Sequence, residues 1–158
     1  MSPRAAWRLE GLDFTSVYDF AAGKTAWLAA GLPIEGSDAT TPRAGDHVRR
    51  DVPTCQLDEP LTTVRKRVSA AGWNTCIVIN QKRIVLGRLG RNALSNSDAQ
   101  TIEEAMSAGP STIRPDTPIT TITQRLRDKN LTNALVTTLE GELVGLLQLE
   151  ETPPRPSE

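Results

Sequence analysis

The sequence is poor in the residues that most enzymes use for chemistry. Its 158 residues include one histidine, two cysteines and one tyrosine, and aromatic residues make up only 4%. His47 and two cysteines are too few ligands for a zinc site, and no Ser-His-Asp or Cys-His set is recognisable. We therefore expect a protein without catalytic activity and without a bound metal.

The chain also lacks an apolar run long enough to span a bilayer, and its first ten residues lack the apolar core of a secretory signal. A cytoplasmic location without membrane attachment is the resulting expectation. In a reducing compartment, Cys55 and Cys76 are expected to be two buried thiols rather than a disulfide.

Charge is nearly balanced overall, with a net charge of −1, but it is unevenly distributed. Residues 43–91 contain ten basic and four acidic residues, whereas residues 92–158 contain five basic and ten acidic residues. Two interpretations stay open: solvated faces of opposite sign, or a functional asymmetry such as phosphate binding by the first half or head-to-tail pairing of chains. Nucleic-acid binding is not expected, because aromatic residues do not interleave with the basic ones.

One sequence pattern occurs twice, at an offset of about 58 residues. Residues 55–61 align with 113–119, residues 76–80 with 134–138, and residues 85–87 with 143–145. Each copy predicts a strand, a helix and two strands joined by a turn. In the second copy, Asp116 or Thr117 is expected to cap the helix, and Gly141 suits the hairpin turn. We predict an α/β (α+β) fold of two stacked strand-helix-strand-strand-helix units.

This duplicated layout resembles a pair of CBS (cystathionine β-synthase) domains over about two thirds of the chain. The family pattern is a strand ending in Pro-Asp, a helix, an apolar strand, a turn and an apolar strand closing on glycine. The predicted boundaries are a linker at 37–45, the first repeat at 46–96, the second at 97–151, and a disordered tail at 152–158.

The resemblance implies a non-catalytic regulatory module that forms a homodimer and binds AMP, ADP, ATP or S-adenosylmethionine between its repeats. In the family, a Thr or Ser after the last strand meets phosphate, and an Asp three residues later accepts the ribose hydroxyls. Here Gly90 and Ala93 occupy these places in the first repeat. Gln148 and Glu151 occupy them in the second repeat, so only Glu151 keeps a carboxylate.

The second repeat is therefore the better candidate for an adenosine site, with lining residues implied by the resemblance. These are Thr112, Ile113, Asn133, Ala134, Gln148 and Glu151. Arg88 and Arg91 flank the altered Gly90 position, where they are either surface residues or phosphate ligands. The alternative function is a structural interaction module that has lost nucleotide binding.

Residues 1–36 resemble the C-terminal end of a rhodanese domain. The residues of this segment themselves predict a helix over 3–12, a strand over 17–20 and a helix over 25–30. The catalytic cysteine loop of that family is absent, so sulfur transfer is not expected. Trp7, Phe14, Tyr18 and Trp27 are expected to pack on the CBS-like pair or on a second chain. The matching residues are Phe14, Val17, Tyr18, Gly23, Trp27, Ala30, Gly31, Leu32 and Pro33.

Overall fold

The computed structural model describes residues 2–36, 39–95 and 101–149, which form an N-terminal helical segment and two α/β units. The segment contains α1 (Ser2–Glu10), α2 (Gly23–Ala29) and a 3-10 turn (Ala44–Asp46). The first unit contains β1 (Thr54–Cys55), α3 (Leu61–Ala70), β2 (Cys76–Ile79), β3 (Val85–Leu89) and α4 (Arg91–Ser95). The second contains α5 (Ile102–Ala105), β4 (Ser107–Ala108), β5 (Thr112–Ile113), α6 (Ile119–Asp128), β6 (Asn133–Thr137) and β7 (Leu143–Gln148).

The predicted mixed α/β fold class is confirmed. One sheet has the strand order β1-β2-β3-β4 and the other has the order β5-β6-β7. Strand β1 runs parallel to β2, and β5 runs parallel to β6. Strands β2 and β6 pair antiparallel with β3 and β7, respectively. The final helix predicted for the second unit and the predicted disordered tail lie outside the described residues.

The backbone conformation of two turns repeats with the 58-residue offset. The hairpin turns carry positive φ at Arg83 (60°) and at Gly141 (85°), as expected for Gly141. The turns after the long helices carry positive φ at Gly72 (71°) and at Asn130 (51°). Both pairs are 58 residues apart, so each copy has the same two turns although their residue types differ.

The two hairpins meet at a local pseudo-twofold axis. Ile84 and Glu142 form an isolated antiparallel bridge, and they are equivalent positions of the two copies. The amide of Val85 donates to the carbonyl of Gly141 at 3.0 Å, and the amide of Leu143 donates to the carbonyl of Arg83 at 2.9 Å. A shared apolar cluster lies beside this axis and joins the sheets: Val52, Ile77, Ile79, Leu135, Leu143 and Leu146.

The segment preceding each unit pairs with the sheet of the other unit. Strand β4, which precedes the second unit's sheet, pairs antiparallel with β3 of the first. Arg49, at the position 58 residues earlier than Ser107, forms an antiparallel bridge with Leu146 of β7. We call these two stretches, residues 48–49 and 107–108, the lead-in segments. Their exchange is reciprocal, so neither sheet is complete without the other half of the chain.

The correspondence between the copies extends upstream of the predicted first repeat. The backbone amide of Arg43 donates to the carboxylate of Asp46 at 3.0 Å, and Thr101 and Glu104 form a capping box 58 residues later. Residues 42–45, predicted as linker, contact the second unit: the amide of Ala44 donates to the carbonyl of Thr117 at 2.9 Å. The predicted domain boundaries stay a prediction, and this geometry favours starting the first unit at least three residues before position 46.

Two predicted local features are wrong. Neither Asp116 nor Thr117 caps α6; Pro118 occupies the N-cap position, with extended backbone and no side-chain cap. The predicted strand over 17–20 is not formed, because no described strand lies beside it to complete its hydrogen bonds.

The N-terminal aromatic residues differ in their surroundings. Trp27 packs edge-on against Phe20, and its indole N–H donates to the carbonyl of Pro33 at 2.7 Å. Trp7, Phe14 and Tyr18 are 77%, 59% and 90% exposed, so the expectation that they pack on their own chain's units is wrong. Packing on a second chain remains a prediction.

Candidate functional site

A small cavity lies in the second unit between α6 and the starts of β5 and β6. Strands β5 and β6 are parallel neighbours, so Thr112 and Asn133 begin at the same edge of the sheet. The cavity has a volume of about 60 Å³. Four predicted site residues line it together: Thr112, Ile113, Asn133 and Ala134. Apolar side chains from α6 and its following turn complete the walls: Ile122, Leu126 and Leu131.

Two basic residues at this cavity were missed by the sequence analysis. Arg125 and Lys129 are four residues apart on α6, so they lie on one face of the helix, and both line the cavity. Both side chains are exposed, and neither forms a hydrogen bond or an ion pair with the part of the chain that the structure describes. The cavity therefore combines apolar walls with two cations available to an anionic ligand.

Arg88 of the first unit reaches the edge of this cavity through Asn133. Its Nη1 donates to Oδ1 of Asn133 at 2.8 Å, and its Nε donates to the hydroxyl of Thr75 at 2.9 Å. Thr75 and Asn133 are equivalent positions, so Arg88 links the starts of β2 and β6 across the two units. Burial lowers the pKa of the Arg88 guanidinium, whose partners here are neutral.

The other predicted site residues do not join this cavity. Gln148 lies opposite Asn133 in the sheet but lines a separate pocket with His47 and Leu149. Arg91 lines another pocket with Arg65 and Trp73, so Arg88 and Arg91 do not form a shared phosphate site. Glu151 lies outside the described residues.

Known structures share the fold of this chain. The CBS domain pair of protein MJ0100, in complex with 5′-methylthioadenosine and S-adenosyl-L-methionine, has a TM-score of 0.61 at 15% identity, covering 68% of this chain and 90% of that chain. CBSX2 in complex with AMP has a TM-score of 0.61 at 15% identity, covering 67% and 89%. The cytosolic domain of the Mg²⁺ channel MgtE in complex with ATP has a TM-score of 0.61 at 20% identity, covering 67% of this chain but only 45% of that chain.

Sequence comparison agrees over the second unit. Residues 102–151 match the CBS domain family model, whereas no curated protein matches the sequence. The chain has the fold of a CBS domain pair. No helix within the described residues is long and apolar enough to cross a membrane.

The first unit contains an equivalent but differently charged pocket. Thr54, Cys55 and Arg67 line it at the places that Thr112, Ile113 and Arg125 occupy in the second unit. Arg67 pairs with Glu59 at 2.8 Å and donates to the carbonyl of Thr54 at 2.7 Å. The hydrogen bond from Arg67 to the Glu59 carboxylate holds the pKa of Glu59 below its usual range. Position 117, equivalent to Glu59, is threonine, which explains why Arg125 lacks such a partner.

The two cysteines are both buried free thiols on neighbouring strands, as expected. Interaction between the two thiols lowers the pKa of Cys55, and the same interaction together with burial raises the pKa of Cys76. No group of three His, Cys, Asp or Glu side chains that could hold a metal ion occurs among the residues described.

Proposed function

We propose that this protein is a non-catalytic regulatory CBS pair that binds an adenosine compound at the cavity of its second unit. The observation that carries this proposal is the convergence of Thr112, Ile113, Asn133 and Ala134 on one cavity. The three structural neighbours named above were solved with S-adenosyl-L-methionine, 5′-methylthioadenosine, AMP or ATP.

The cavity itself accommodates only part of such a ligand. Its apolar walls suit the face of an adenine ring, and its volume of about 60 Å³ requires the ribose and phosphate to extend outward. Arg125 and Lys129 line the cavity and are exposed to solvent, so they are available to form charge-assisted hydrogen bonds with a phosphate that extends from it. Glu151 is the proposed acceptor of the ribose hydroxyls. We accordingly expect AMP, ADP or ATP to bind more tightly than S-adenosylmethionine, which has no phosphate.

The test is isothermal titration calorimetry with AMP, ADP, ATP and S-adenosylmethionine. The charge-neutralising variant Arg125→Gln should weaken binding of the phosphorylated ligands by about tenfold, which corresponds to ~1.4 kcal/mol. Arg127→Gln is the matched control, because it removes the same charge from the same helix without touching the cavity. Glu151→Ala should weaken all four ligands. Binding that is unchanged in both Arg125→Gln and Glu151→Ala would contradict the site.

The exposed N-terminal aromatics favour a second function, that of a structural interaction module. Trp7, Phe14 and Tyr18 present large apolar surfaces to solvent in the described chain. If none of the four ligands binds, we propose that the protein acts through such contacts, without a nucleotide signal.

Several finer assignments belong to this proposal. Residues 1–36 are proposed to be a rhodanese-like C-terminal fragment without sulfurtransferase activity. The CBS pair is proposed to form a homodimer, with a cytoplasmic location and without nucleic-acid or membrane partners. Sedimentation equilibrium tests the dimer directly: a single species of monomer mass at high protein concentration would exclude it.

A further inference from the structure

The first unit has a second pocket whose chemistry differs from that of the adenosine cavity. It has a volume of about 350 Å³ and lies where α3, the turn before β2, and α4 meet. Two arginines line it from different elements: Arg65 from α3 and Arg91 from the start of α4. Ser69, Asn74 and the half-buried Trp73 line it as well, and none of the lining residues that the structure describes is acidic.

The structure holds these groups in place by contacts outside the pocket. Nη2 of Arg65 donates to the carbonyl of Ala93 at 3.1 Å, which ties α3 to α4. Trp73 is fixed by the guanidinium of Arg49, which lies 4.2 Å from its ring centroid. Arg91 is exposed and forms no ion pair with any residue in the described ranges. The pocket therefore combines one anchored and one available guanidinium.

The two arginines of this pocket have no basic counterparts in the second unit. Positions 58 residues after Arg65 and Arg91 are Thr123 and Leu149, so both charges are absent there. The pocket is thus a specific feature of the basic first half of the chain. The helix fold does not require Arg65, because α6 forms with Thr123 at the equivalent position.

We infer that this pocket binds a phosphoryl group. Guanidinium groups bind phosphate oxygens bidentately, and two of them approaching from different elements would contact different oxygens. The hydroxyl of Ser69 and the side-chain amide of Asn74 supply neutral donors to the remaining oxygens. The phosphoryl group belongs either to a free inorganic anion or to a small nucleotide, and this chemistry is the same for both.

The experiment measures inorganic phosphate and AMP separately by isothermal titration calorimetry, at constant ionic strength maintained with chloride. Arg91→Gln should weaken phosphate binding by about tenfold or more, because one charge-assisted contact is lost. Lys66→Gln is the matched control: it removes an exposed positive charge next to Arg65 that does not line the pocket, and it should change binding by less than about twofold. Arg65→Gln breaks a structural tether, so Arg91→Gln is the deciding variant.

The outcomes separate this pocket from the adenosine cavity. Phosphate binding that depends on Arg91 supports a free anion as the ligand, and AMP binding alone that depends on Arg91 supports a nucleotide. Arg125→Gln should weaken AMP binding at the adenosine cavity but leave the Arg91-dependent binding of phosphate or AMP unchanged. The inference is overturned if neither anion binds, if Arg91→Gln binds as the unmodified protein does, or if Lys66→Gln weakens binding as much as Arg91→Gln.

Discussion

Gly145→Ala should destabilise the protein strongly because of the exchanged lead-in segments. A Cβ atom at this position would lie 2.6 Å from the carbonyl oxygen of Arg49 and 3.1 Å from Cβ of Val48. The closest atom belongs to the backbone, so the lead-in segment has to move away from β7. This movement would break the Arg49–Leu146 pair of hydrogen bonds, of 2.9 and 3.0 Å.

The expected loss can be estimated from these contacts. Two backbone hydrogen bonds contribute about 1 kcal/mol each, and crowding of a packed site costs about 1–3 kcal/mol. Because the movement that breaks the bonds also relieves the crowding, we expect a total of about 2–4 kcal/mol in the free energy of unfolding. This loss corresponds to a fall in Tm of roughly 4–16 °C for a chain of this length.

Urea unfolding of the two variants Gly145→Ala and Gly90→Ala measures this difference. A Cβ at Gly90 meets no atom within 4 Å, so Gly90→Ala should change stability by less than about 0.5 kcal/mol. Hydrogen exchange should also show faster exchange of the Arg49 and Leu146 amides in Gly145→Ala. Equal midpoints for the two variants, with unchanged protection of these amides, would refute the exchange of lead-in segments.

Two further predictions concern a turn and an ion pair. Arg83→Gly should stabilise the protein by about 0.5–1 kcal/mol, and Gly141→Ala should destabilise it by about 1 kcal/mol, since both positions have positive φ. Urea unfolding that shows a destabilised Arg83→Gly or a stabilised Gly141→Ala would contradict this. The pKa of Glu59 is lowered by its hydrogen bond to Arg67, so this pair stabilises the folded state above the ordinary carboxyl pKa and loses its contribution as the pH falls through the lowered pKa. Unfolding free energies measured from about pH 7 to about pH 3 should therefore fall less steeply in Glu59→Gln, and identical slopes would contradict the pairing.

The sequence predicts the elements that recur within each copy, because their signals are local. The run Cys76–Ile79 is continuously apolar and is buried along its whole length, and Gly141 marks its turn by residue type alone. Arg83 also has a positive φ, but an arginine does not indicate positive φ by its residue type. Only the alignment of the two copies identifies that position.

The misses arise where distant residues determine the outcome. Arg88 and Arg91 are close in sequence, yet the end of β3 and the start of α4 direct them into different surroundings. The role proposed for Arg125 depends on the absence of a carboxylate at position 117, and only comparison with Glu59 in the first unit reveals that absence. The strand predicted over 17–20 has suitable residues but no neighbouring strand, and no property of the segment itself reports that absence.

The exchanged lead-in segments bear on how such a chain can be divided. A fragment carrying only the first unit would leave the edge of β3 without its partner from 107–108, and it would carry residues 48–49 without the β7 edge they pair with. Two copies of that fragment could exchange their own segments and rebuild both edges, so the isolated half should assemble as a dimer instead of remaining a monomer. The intact chain is then the covalently joined form of that dimer, and joining the halves removes the concentration dependence of their assembly.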